Sequence, residues 1–481
     1  MTTAGPFRLF FRMEGIAMGT NAPSRRQFLK TAALAASSLA MPGLTLAKKT
    51  LHNRPNIVFI MVDDLGKEMI SYYGSERVRT PNIDALAAAG MRFNNAYSMP
   101  QCVPTRVTVL TGQYPFRHGW VNHYDVPRWG KGCHFSPRYN PSFAKQLKAA
   151  GYATCISGKW QINDFRIQPN ILNEIGFDEY CVWTGYEKGN PPSDKRYWDP
   201  YIHTAKGSKT YQGEFGPDIF NRFILDFIEA HKSEPMMIYY PMTLTHAPLT
   251  TTPHNKTTAN KKVMVEYMDY LVGRLIKALD ENGIRDNTIA IWSTDNGSAK
   301  GKTTEKGVCE PFVVNCPGIV ARGVVTDALV DFTDLLATFC ELGGAELPKG
   351  HTIDGKSFAP MILGKADDSP REWIMAMGGG AVAATKTDDG WRVFNNHQYR
   401  DRVIRDKQFK LYIATDRRPE KLIDLKADPQ EKINILESDE PKVKAALAKL
   451  MKVAAAFPQK DADPKYDPLP LQSWDLIADD G

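Results

Sequence analysis

The sequence predicts a large α/β domain built on a doubly wound, mainly parallel sheet, with a smaller C-terminal α+β domain that contains an antiparallel sheet. Up to about residue 365, apolar runs rich in β-branched residues alternate with amphipathic helical segments, the pattern of a parallel sheet covered on both faces. Beyond that point helical periodicity weakens and short strand-like pieces follow one another. The length of 481 residues also exceeds what one hydrophobic core usually supports.

The elements of the large domain follow from apolar periodicity and from Pro and Gly at helix ends. The continuous apolar run 56–62 is typical of a strand buried on both faces. Segment 80–90 has Pro81 at its start and Gly90 at its end, as a helix does. By the same criteria we predict strands over 152–157, 236–240, 288–294, 311–314 and 329–331, and helices over 141–151, 215–231 and 262–283.

The C-terminal part is predicted to fold separately from the large domain. We place the large domain at residues 48–365 and the smaller domain at 366–481. Segment 183–211, rich in Gly, Pro, Lys and aromatic residues, has no clear period and is predicted to be a long surface loop. In the smaller domain we predict strands over 373–377, 391–394, 402–405, 409–413 and 421–424, and a helix over 440–457.

Residues 1–47 have the features of an export signal. Arg25 and Arg26 are followed by Gln-Phe-Leu-Lys, then by an apolar run of small residues, and Ala47 offers a cleavage point. The run is too short to span a membrane. This segment resembles the bacterial twin-arginine signal, which implies the twin-arginine translocation machinery as a partner and a periplasmic or secreted mature protein.

Composition and charge exclude several classes of protein. Hydrophobic residues make up 43% and charged residues 24%, which is ordinary for a globular chain and not for a disordered or fibrous one. The formal net charge is +6, and much of it belongs to residues 1–47, so nothing favours nucleic-acid binding. Seven cysteines are too few for a disulfide scaffold, and no run beyond residue 47 is long enough for a membrane span.

Two pairs of polar residues follow the ends of predicted strands. Asp63 and Asp64 follow the strand 56–62, and Asp295 and Asn296 follow the strand 288–294. In open α/β sheets, ligands bind beyond the carboxyl ends of the strands. Three carboxylates and one amide gathered there would favour a hard cation, Ca²⁺ or Mg²⁺. The alternative for either pair alone is a polar turn or a helix N-cap.

The segment that starts at Cys102 carries a second kind of chemistry. Cys102 precedes Pro104, which suits the first turn of a helix, and Arg106 lies one turn further on. A helix N-terminus and an arginine both favour an anion at Cys102. The residues by themselves leave two interpretations open, a thiolate nucleophile and a buried structural cysteine.

This segment resembles the signature of a known family. Cys-x-Pro-x-Arg followed by Leu-Thr-Gly at 110–112 is similar to the signature of the type I sulfatases, whose fold is alkaline phosphatase-like. The opening strand with its Asp pair, and further phrases in family order, agree with this resemblance. The further phrases are Thr80-Pro-Asn-Ile-Asp84, Gly151-Tyr-Ala-Thr154, Ser293-Thr-Asp-Asn-Gly297 and Asp424-Leu-Lys-Ala-Asp-Pro429.

The resemblance implies a metal site and a modified nucleophile. Cys102 would be converted by a formylglycine-generating enzyme into Cα-formylglycine, and Arg106 would support it. The cation, usually Ca²⁺ with Mg²⁺ as the alternative, would touch this residue and the four side chains named above. Its ligands would thus be Asp63, Asp64, Cys102, Asp295 and Asn296.

The resemblance also implies residues that bind the substrate. Lys159 matches a lysine that binds the sulfate, and His246 matches a histidine near the leaving oxygen. Lys300 best matches a second active-site lysine, with Lys302 two residues away as a possible substitute.

Two positions depart from the family pattern. Thr105 replaces the usual Ser and keeps its hydroxyl. Gln161 replaces a His that normally contacts the formylglycine, and it can hydrogen-bond but cannot titrate, which suggests a divergent subfamily. His118 and His123 follow the signature, and we expect both to be structural.

The expected activity is hydrolysis of a sulfate ester on a carbohydrate or an aryl group. The alternatives are a phosphoester or phosphonate hydrolase of the same superfamily, and an inactive sulfoglycan-binding homologue. The aromatic and basic side chains of 183–211 fit either a sulfated sugar or a loop packed on itself. His397, Arg400 and Arg402 are candidates for contacts with the leaving group, and pairing among the six other cysteines stays open.

Overall fold

The computed structural model describes residues 54–121, 134–187, 189–378, 398–467, 469–470 and 472–473, together with the backbone of 383–387 and 390–394. The predicted export signal 1–47 therefore lies outside the described residues, as do His123, Cys133 and His397. Leu51–Gly481 clusters as one compact unit, and the boundary at 365 stays a prediction.

A ten-stranded sheet, here called the large sheet, forms the centre of the molecule. Five of its neighbouring strand pairs are parallel and four are antiparallel, so the predicted mainly parallel α/β fold is confirmed. In spatial order its strands are Val324–Asp331, Met91–Tyr97, Cys309–Asn315, Thr288–Thr294, Asn56–Val62, Met236–Pro241, Ala153–Lys159, Glu179–Trp183, Tyr201–Thr204 and Gly207–Thr210.

Helices cover both faces of the large sheet, which explains its fully apolar central strands. In Asn56–Val62, Phe59 packs into one hydrophobic cluster with Phe339, and Ile60 into the opposite cluster with Met268. The helices are Pro81–Ala88, Cys102–Thr111, Pro115–His118, Phe143–Ala149, Ile171–Glu174, Gly216–His231, Lys261–Glu281, Glu305–Val308, Asp334–Gly343 and Ala359–Ile362. Short 3₁₀ turns occupy Lys67–Met69, Ser71–Tyr73, Pro191–Asp194 and Arg285–Asn287.

A four-stranded antiparallel sheet, here called the small sheet, follows in the chain, and its prediction is confirmed. Its strands in spatial order are Ile374–Met377, Arg402–Arg405, Phe409–Ile413 and Pro419–Asp424. The helix Pro441–Ala455 packs on it through a cluster that includes Val443, Leu450 and Ile404. A separate hairpin pairs Ala383–Thr387 with Gly390–Phe394.

Two strands of the large sheet outside the segment 183–211 were not predicted. Met91–Tyr97 contains Asn94 and Asn95, which interrupt its apolar run, so periodicity gave no signal there. Glu179–Trp183 has only five residues and leads directly into the segment predicted as a loop. Both become strands because neighbouring strands in the sheet satisfy their backbone hydrogen bonds.

The prediction of a long surface loop over 183–211 was wrong. Trp183 ends the strand Glu179–Trp183 and is fully buried, and Tyr197 is buried as well. Tyr201–Thr204 and Gly207–Thr210 then extend the large sheet as a hairpin. Their neighbours in the sheet override the weak local propensity of this Gly- and Lys-rich stretch. The stretch also packs on distant residues, since the Tyr197 hydroxyl donates to the backbone oxygen of Thr243 at 2.9 Å.

Arg400 and Arg402 do not lie at the surface, where contacts with a leaving group were expected. Both are buried, and Arg402 pairs with Asp461 at 2.7 Å between Nη2 and Oδ1. The six described cysteines are free thiols. Within the described ranges, every helix is too short or too polar to cross a bilayer.

Candidate active site

The polar residues singled out in the sequence meet beyond the carboxyl ends of the central strands. Asn56–Val62 lies between Thr288–Thr294 and Met236–Pro241 in the large sheet. The segments that follow these three strands therefore converge beyond the carboxyl ends of the strands. They bring together Asp63, Asp64, His246, Asp295 and Asn296, next to Lys159 at the end of its own strand.

Cys102 is the first residue of the helix Cys102–Thr111 and is completely buried. Its thiol donates to Asp63 Oδ1 at 3.3 Å, and its Sγ lies 3.1 Å from Lys300 Nζ. Burial raises the pKa of the Cys102 thiol well above its usual value, and the Asp63 carboxylate adds to the rise. The unmodified thiol is therefore protonated at neutral pH, so the interpretation as a thiolate nucleophile is not supported.

Buried cations hold the carboxylates of the site in place. Lys159 Nζ lies 2.7 Å from Asp63 Oδ2, and Arg106 Nη2 lies 2.7 Å from Asp295 Oδ2. Burial alone would raise the pKa of Asp63, but Lys159, Arg106 and Lys300 together lower it well below its usual range. Asp63 is therefore ionised, whereas burial and the neighbouring Asp63 raise the pKa of Asp295 to about 6.

Lys300 contacts several of these site residues at once. Its Nζ lies 2.9 Å from both Asp64 Oδ2 and His246 Nε2. Burial would lower the pKa of Lys300, but the carboxylates of Asp64 and Asp63 raise it above its usual range. Lys302 is exposed, so of the two candidate lysines the fold brings Lys300 to Cys102.

His246 is held in one orientation by its ring nitrogens. Nδ1 lies 2.6 Å from the carbonyl oxygen of Ala247, which accepts a hydrogen bond only if Nδ1 carries the proton. Nε2 then accepts from Lys300. Burial lowers the pKa of His246 to about 4, so the imidazole is neutral at pH 7.

The donor set fits a hard divalent cation. Single ligand atoms of Asp63, Asp64, Cys102 and His246 lie within 4.8 Å of one another. The side-chain oxygen of Asn296 is buried without a hydrogen-bond partner among the described residues. The amide nitrogen of Asn296 donates to Asp64 Oδ1 at 2.8 Å, and an unpartnered amide oxygen beside carboxylates is a ligand for Ca²⁺ or Mg²⁺ rather than for a soft metal.

The two departures from the family pattern are both buried. Thr105 Oγ1 lies 2.7 Å from the backbone oxygen of Asp295, so this hydroxyl ties the nucleophile helix to the metal-site segment. Gln161 lies two residues beyond Lys159 with a left-handed backbone (φ 60°) and packs against Gly185. His118 accepts from the backbone N–H of Trp120 and pairs with Thr108, a structural role as expected.

Two further cations border the site without any local sequence signal. Lys261 Nζ donates to the backbone oxygens of Asp64, at 2.6 Å, and Thr245. The Arg196 guanidinium lies 4.1 Å from the Trp183 ring centroid, and its Nη1 lies 3.3 Å from His246 Nδ1. Both depend on long-range packing, and periodicity does not detect such contacts.

Glu310, beneath the site, gives the stability of this fold a pH dependence. Burial raises the pKa of its carboxyl to about 8, although Thr294 and Ser98 donate to it. The unfolded chain releases this proton near pH 4.5, so Glu310's contribution to stability is complete below that pH and is lost between pH 4.5 and 8.

Glutamine at position 310 cannot ionise. The Tm of Glu310→Gln minus the Tm of the natural chain should therefore be larger at pH 8 than at pH 5, by about 2 °C or more. Calorimetry at both pH values measures this. Glu346→Gln, at an exposed carboxylate paired with Lys349, is the control and should show no such gain. An equal Tm difference at pH 5 and pH 8 would contradict the assignment of a neutral Glu310.

Comparison with known proteins gives a consistent result. The family model described as Sulfatase matches residues 55–345. Human arylsulfatase D (Homo sapiens) is 25% identical over 505 residues, covering 82% of this chain and 85% of that protein. Human N-acetylgalactosamine-6-sulfatase is 30% identical over 357 residues, covering 66% and 67%. The crystal structure of Ps i-CgsB superposes with a TM-score of 0.69 at 25% identity, covering 84% of this chain and 94% of that one.

Proposed function

Because this chain belongs to the sulfatase family and is thus a sulfuric ester hydrolase, we propose that it removes sulfate from a sulfated carbohydrate by means of a formylglycine at position 102 and a bound divalent cation. The observation that carries the proposal is the meeting of Cys102 with two lysines and a carboxylate set at one sheet edge. The lysines, the residue at position 102 and the carboxylates each have a role in the hydrolysis of a sulfate monoester.

The cationic side chains bind and orient the substrate. A sulfate monoester carries one negative charge, which repels an anionic nucleophile. Lys159 contacts Asp63, which accepts from Cys102, and Lys300 contacts Cys102 directly, so both lie where they can neutralise the sulfate oxygens. Arg106 keeps Asp295 in position and reaches the backbone oxygen of Lys159 at 3.1 Å.

Formylglycine and the cation would supply the remaining chemistry. A formylglycine hydrate would offer one hydroxyl to bond to sulfur as the bond from sulfur to the leaving alcohol oxygen breaks, and a second whose deprotonation would re-form the aldehyde and release sulfate; the cation would offset negative charge on the sulfate. Asp63, Asp64, Asp295 and Asn296 are the residues that would hold the cation, with position 102 as a further contact. Asp295 is included because its Oδ1 lies 3.0 Å from the backbone nitrogen of Asp64.

The pair Lys300 and His246 supplies the proton for the leaving oxygen. Lys300 Nζ donates to His246 Nε2 over 2.9 Å, so one proton is shared between them at the edge of the site. The hydrogen bond from Nδ1 to Ala247 fixes the ring, and Nε2 faces the reaction centre.

A carbohydrate as leaving group is supported by the names of relatives. N-acetylgalactosamine-6-sulfatase is named for a sulfated amino sugar. The twin-arginine-like segment 1–47 supports export of the folded enzyme to the periplasm or the medium, where sulfated polysaccharides are available. Formylglycine would then be formed in the cytoplasm before export.

A substrate panel tests the proposal. The protein, co-expressed with a formylglycine-generating enzyme, is incubated with sulfated oligosaccharides, an aryl sulfate and the matching phosphate esters. We expect release of inorganic sulfate to exceed release of phosphate by a wide margin. Faster phosphate release would support the phosphohydrolase alternative, and tight glycan binding without turnover would support an inactive binding protein.

The two candidate lysines can be separated by single substitutions. Lys300→Ala removes a cation that touches Cys102, Asp64 and His246, and kcat/KM should fall by about 10² to 10³. Lys302→Ala removes an exposed side chain and should change kcat/KM by about twofold or less. Sulfate release by the two variants, normalised to folded protein, decides between them, and the reverse ranking would overturn the assignment.

A further inference from the structure

Lys300 lies on a tight segment, residues 297–308, that leaves the site and returns to the large sheet. Ala299 N donates to the backbone oxygen of Lys306, and Gly297 N donates to that of Gly307. A Cβ on Gly307 would come within 1.9 Å of the Lys302 oxygen, so the two arms of this segment touch. Movement of one arm must therefore displace the other, which carries Lys300.

The returning arm is anchored by one carboxylate. Glu305 Oε2 lies 3.0 Å from Arg405 Nη1, and Glu305 Oε1 lies 3.0 Å from Lys410 Nζ. The hydroxyl of Tyr97 also donates to Glu305. Arg405 and Lys410 belong to neighbouring strands of the small sheet, so the anchor joins Lys300's segment to the C-terminal part of the chain.

The cations of this anchor are buried and have their own counter-charge. Lys410 is fully buried and also pairs with Glu431 at 2.8 Å. Glu431 accepts in turn from the backbone N–H of Glu305, at 2.8 Å. Burial would raise the pKa of Glu305, but Lys410 and Arg405 lower it to about 2, so the carboxylate is ionised. Two acids and two bases thus form a closed, neutral cluster.

We propose that Glu305 is a positioning residue for sulfate hydrolysis, which fixes the segment 297–308 to the small sheet and so holds Lys300 against the residue at position 102. This inference rests on the proposed function for its kinetic consequence only. Its structural consequence, the position of Lys300, holds whatever the substrate. The small sheet would then contribute to catalysis without touching the substrate.

The first measurement is structural and independent of turnover. In a crystal structure of Glu305→Gln, Lys300 Nζ should lie well away from Cys102 Sγ, compared with 3.1 Å here. Arg405→Met removes the small-sheet partner of Glu305 and should displace Lys300 in the same way, so it replaces Glu305→Gln if that variant does not fold. Arg371→Met breaks a buried pair with Asp334 instead, and should lower Tm without moving Lys300.

The second measurement is a double-mutant cycle on kcat. Because a displacement of about 1 Å can cost about a hundredfold in rate, Glu305→Gln should lower kcat per folded molecule by about that factor. In a Lys300→Ala background the same change should cost about twofold or less, since the group it positions is gone. Arg371→Met should leave kcat per folded molecule unchanged.

The outcomes separate the two proposals. Lys300 in its original place in both anchor variants, or equal losses of kcat with and without Lys300, would overturn the positioning role. Displacement of Lys300 in a protein that hydrolyses no sulfate ester would support the anchor and reject the proposed function. Displacement together with a loss of kcat confined to chains that carry Lys300 would support both.

Discussion

Cys102→Ala should abolish sulfate ester hydrolysis, with a fall in kcat of about 10⁶-fold, as for other enzymes that lose their covalent nucleophile. Alanine cannot be converted to an aldehyde, so no hydrate forms. An unmodified thiol should be almost as inactive, because it lacks the second hydroxyl and because burial keeps it protonated. Specific activity should therefore rise in proportion to the fraction of chains that carry formylglycine.

Peptide mass spectrometry across position 102 measures that fraction, since conversion of the thiol lowers the peptide mass by about 18 Da. Cys340→Ala is the matched control. Cys340 is also buried, but it lies in the helix Asp334–Gly343, so its loss should affect stability rather than kcat. Normal turnover by chains with an intact Cys102 thiol would exclude the hydrate mechanism.

Removal of the divalent cation should have the second largest effect, a fall in kcat/KM of about 10³-fold, since metal ions contribute several kcal/mol to charge stabilisation. Chelation of the natural enzyme should produce this loss, and added Ca²⁺ should reverse it. Asp63→Asn should match the chelated enzyme because Asp63 is an ionised carboxylate at the centre of the donor set. Its loss also leaves the buried Lys159 without its 2.7 Å partner.

Metal analysis gives a readout that does not depend on activity. The natural chain should retain about one divalent cation per molecule and Asp63→Asn much less. Asp327→Asn, at an exposed carboxylate bonded to Asn94, is the control and should retain both cation and activity. Full activity after chelation, with no cation in the protein, would remove the metal from the mechanism.

Local sequence signals were sufficient to predict the functional residues that directly follow a strand or begin a helix. Asp63, Asp64, Asp295 and Asn296 follow apolar runs that could only be buried strands, and parallel strands place their carboxyl ends together. Cys102 precedes a proline suited to a first helical turn and does begin a helix. Lys159, His246 and Lys300 were implied by the family resemblance alone.

The alternation of apolar strands with amphipathic helices, and the antiparallel end of the chain, were likewise readable from sequence. The structure confirms both sheets. Strands buried on both faces are continuously apolar and strands buried on one face alternate apolar with polar residues, so both kinds can be recognised in the sequence. Where polar residues interrupt that periodicity, as in Met91–Tyr97, only the neighbouring strands decide the conformation.

The fold class, the polar strand ends and the helix that presents Cys102 were thus predictable from the sequence. The folded chain was needed to show that Lys300 rather than Lys302 reaches Cys102, that Arg196 and Lys261 border the site, and that Glu305 joins Lys300 to the small sheet. Strand and helix ends are local events with a period of a few residues, whereas a buried ion cluster joins side chains a hundred residues apart and is specified only by three-dimensional packing.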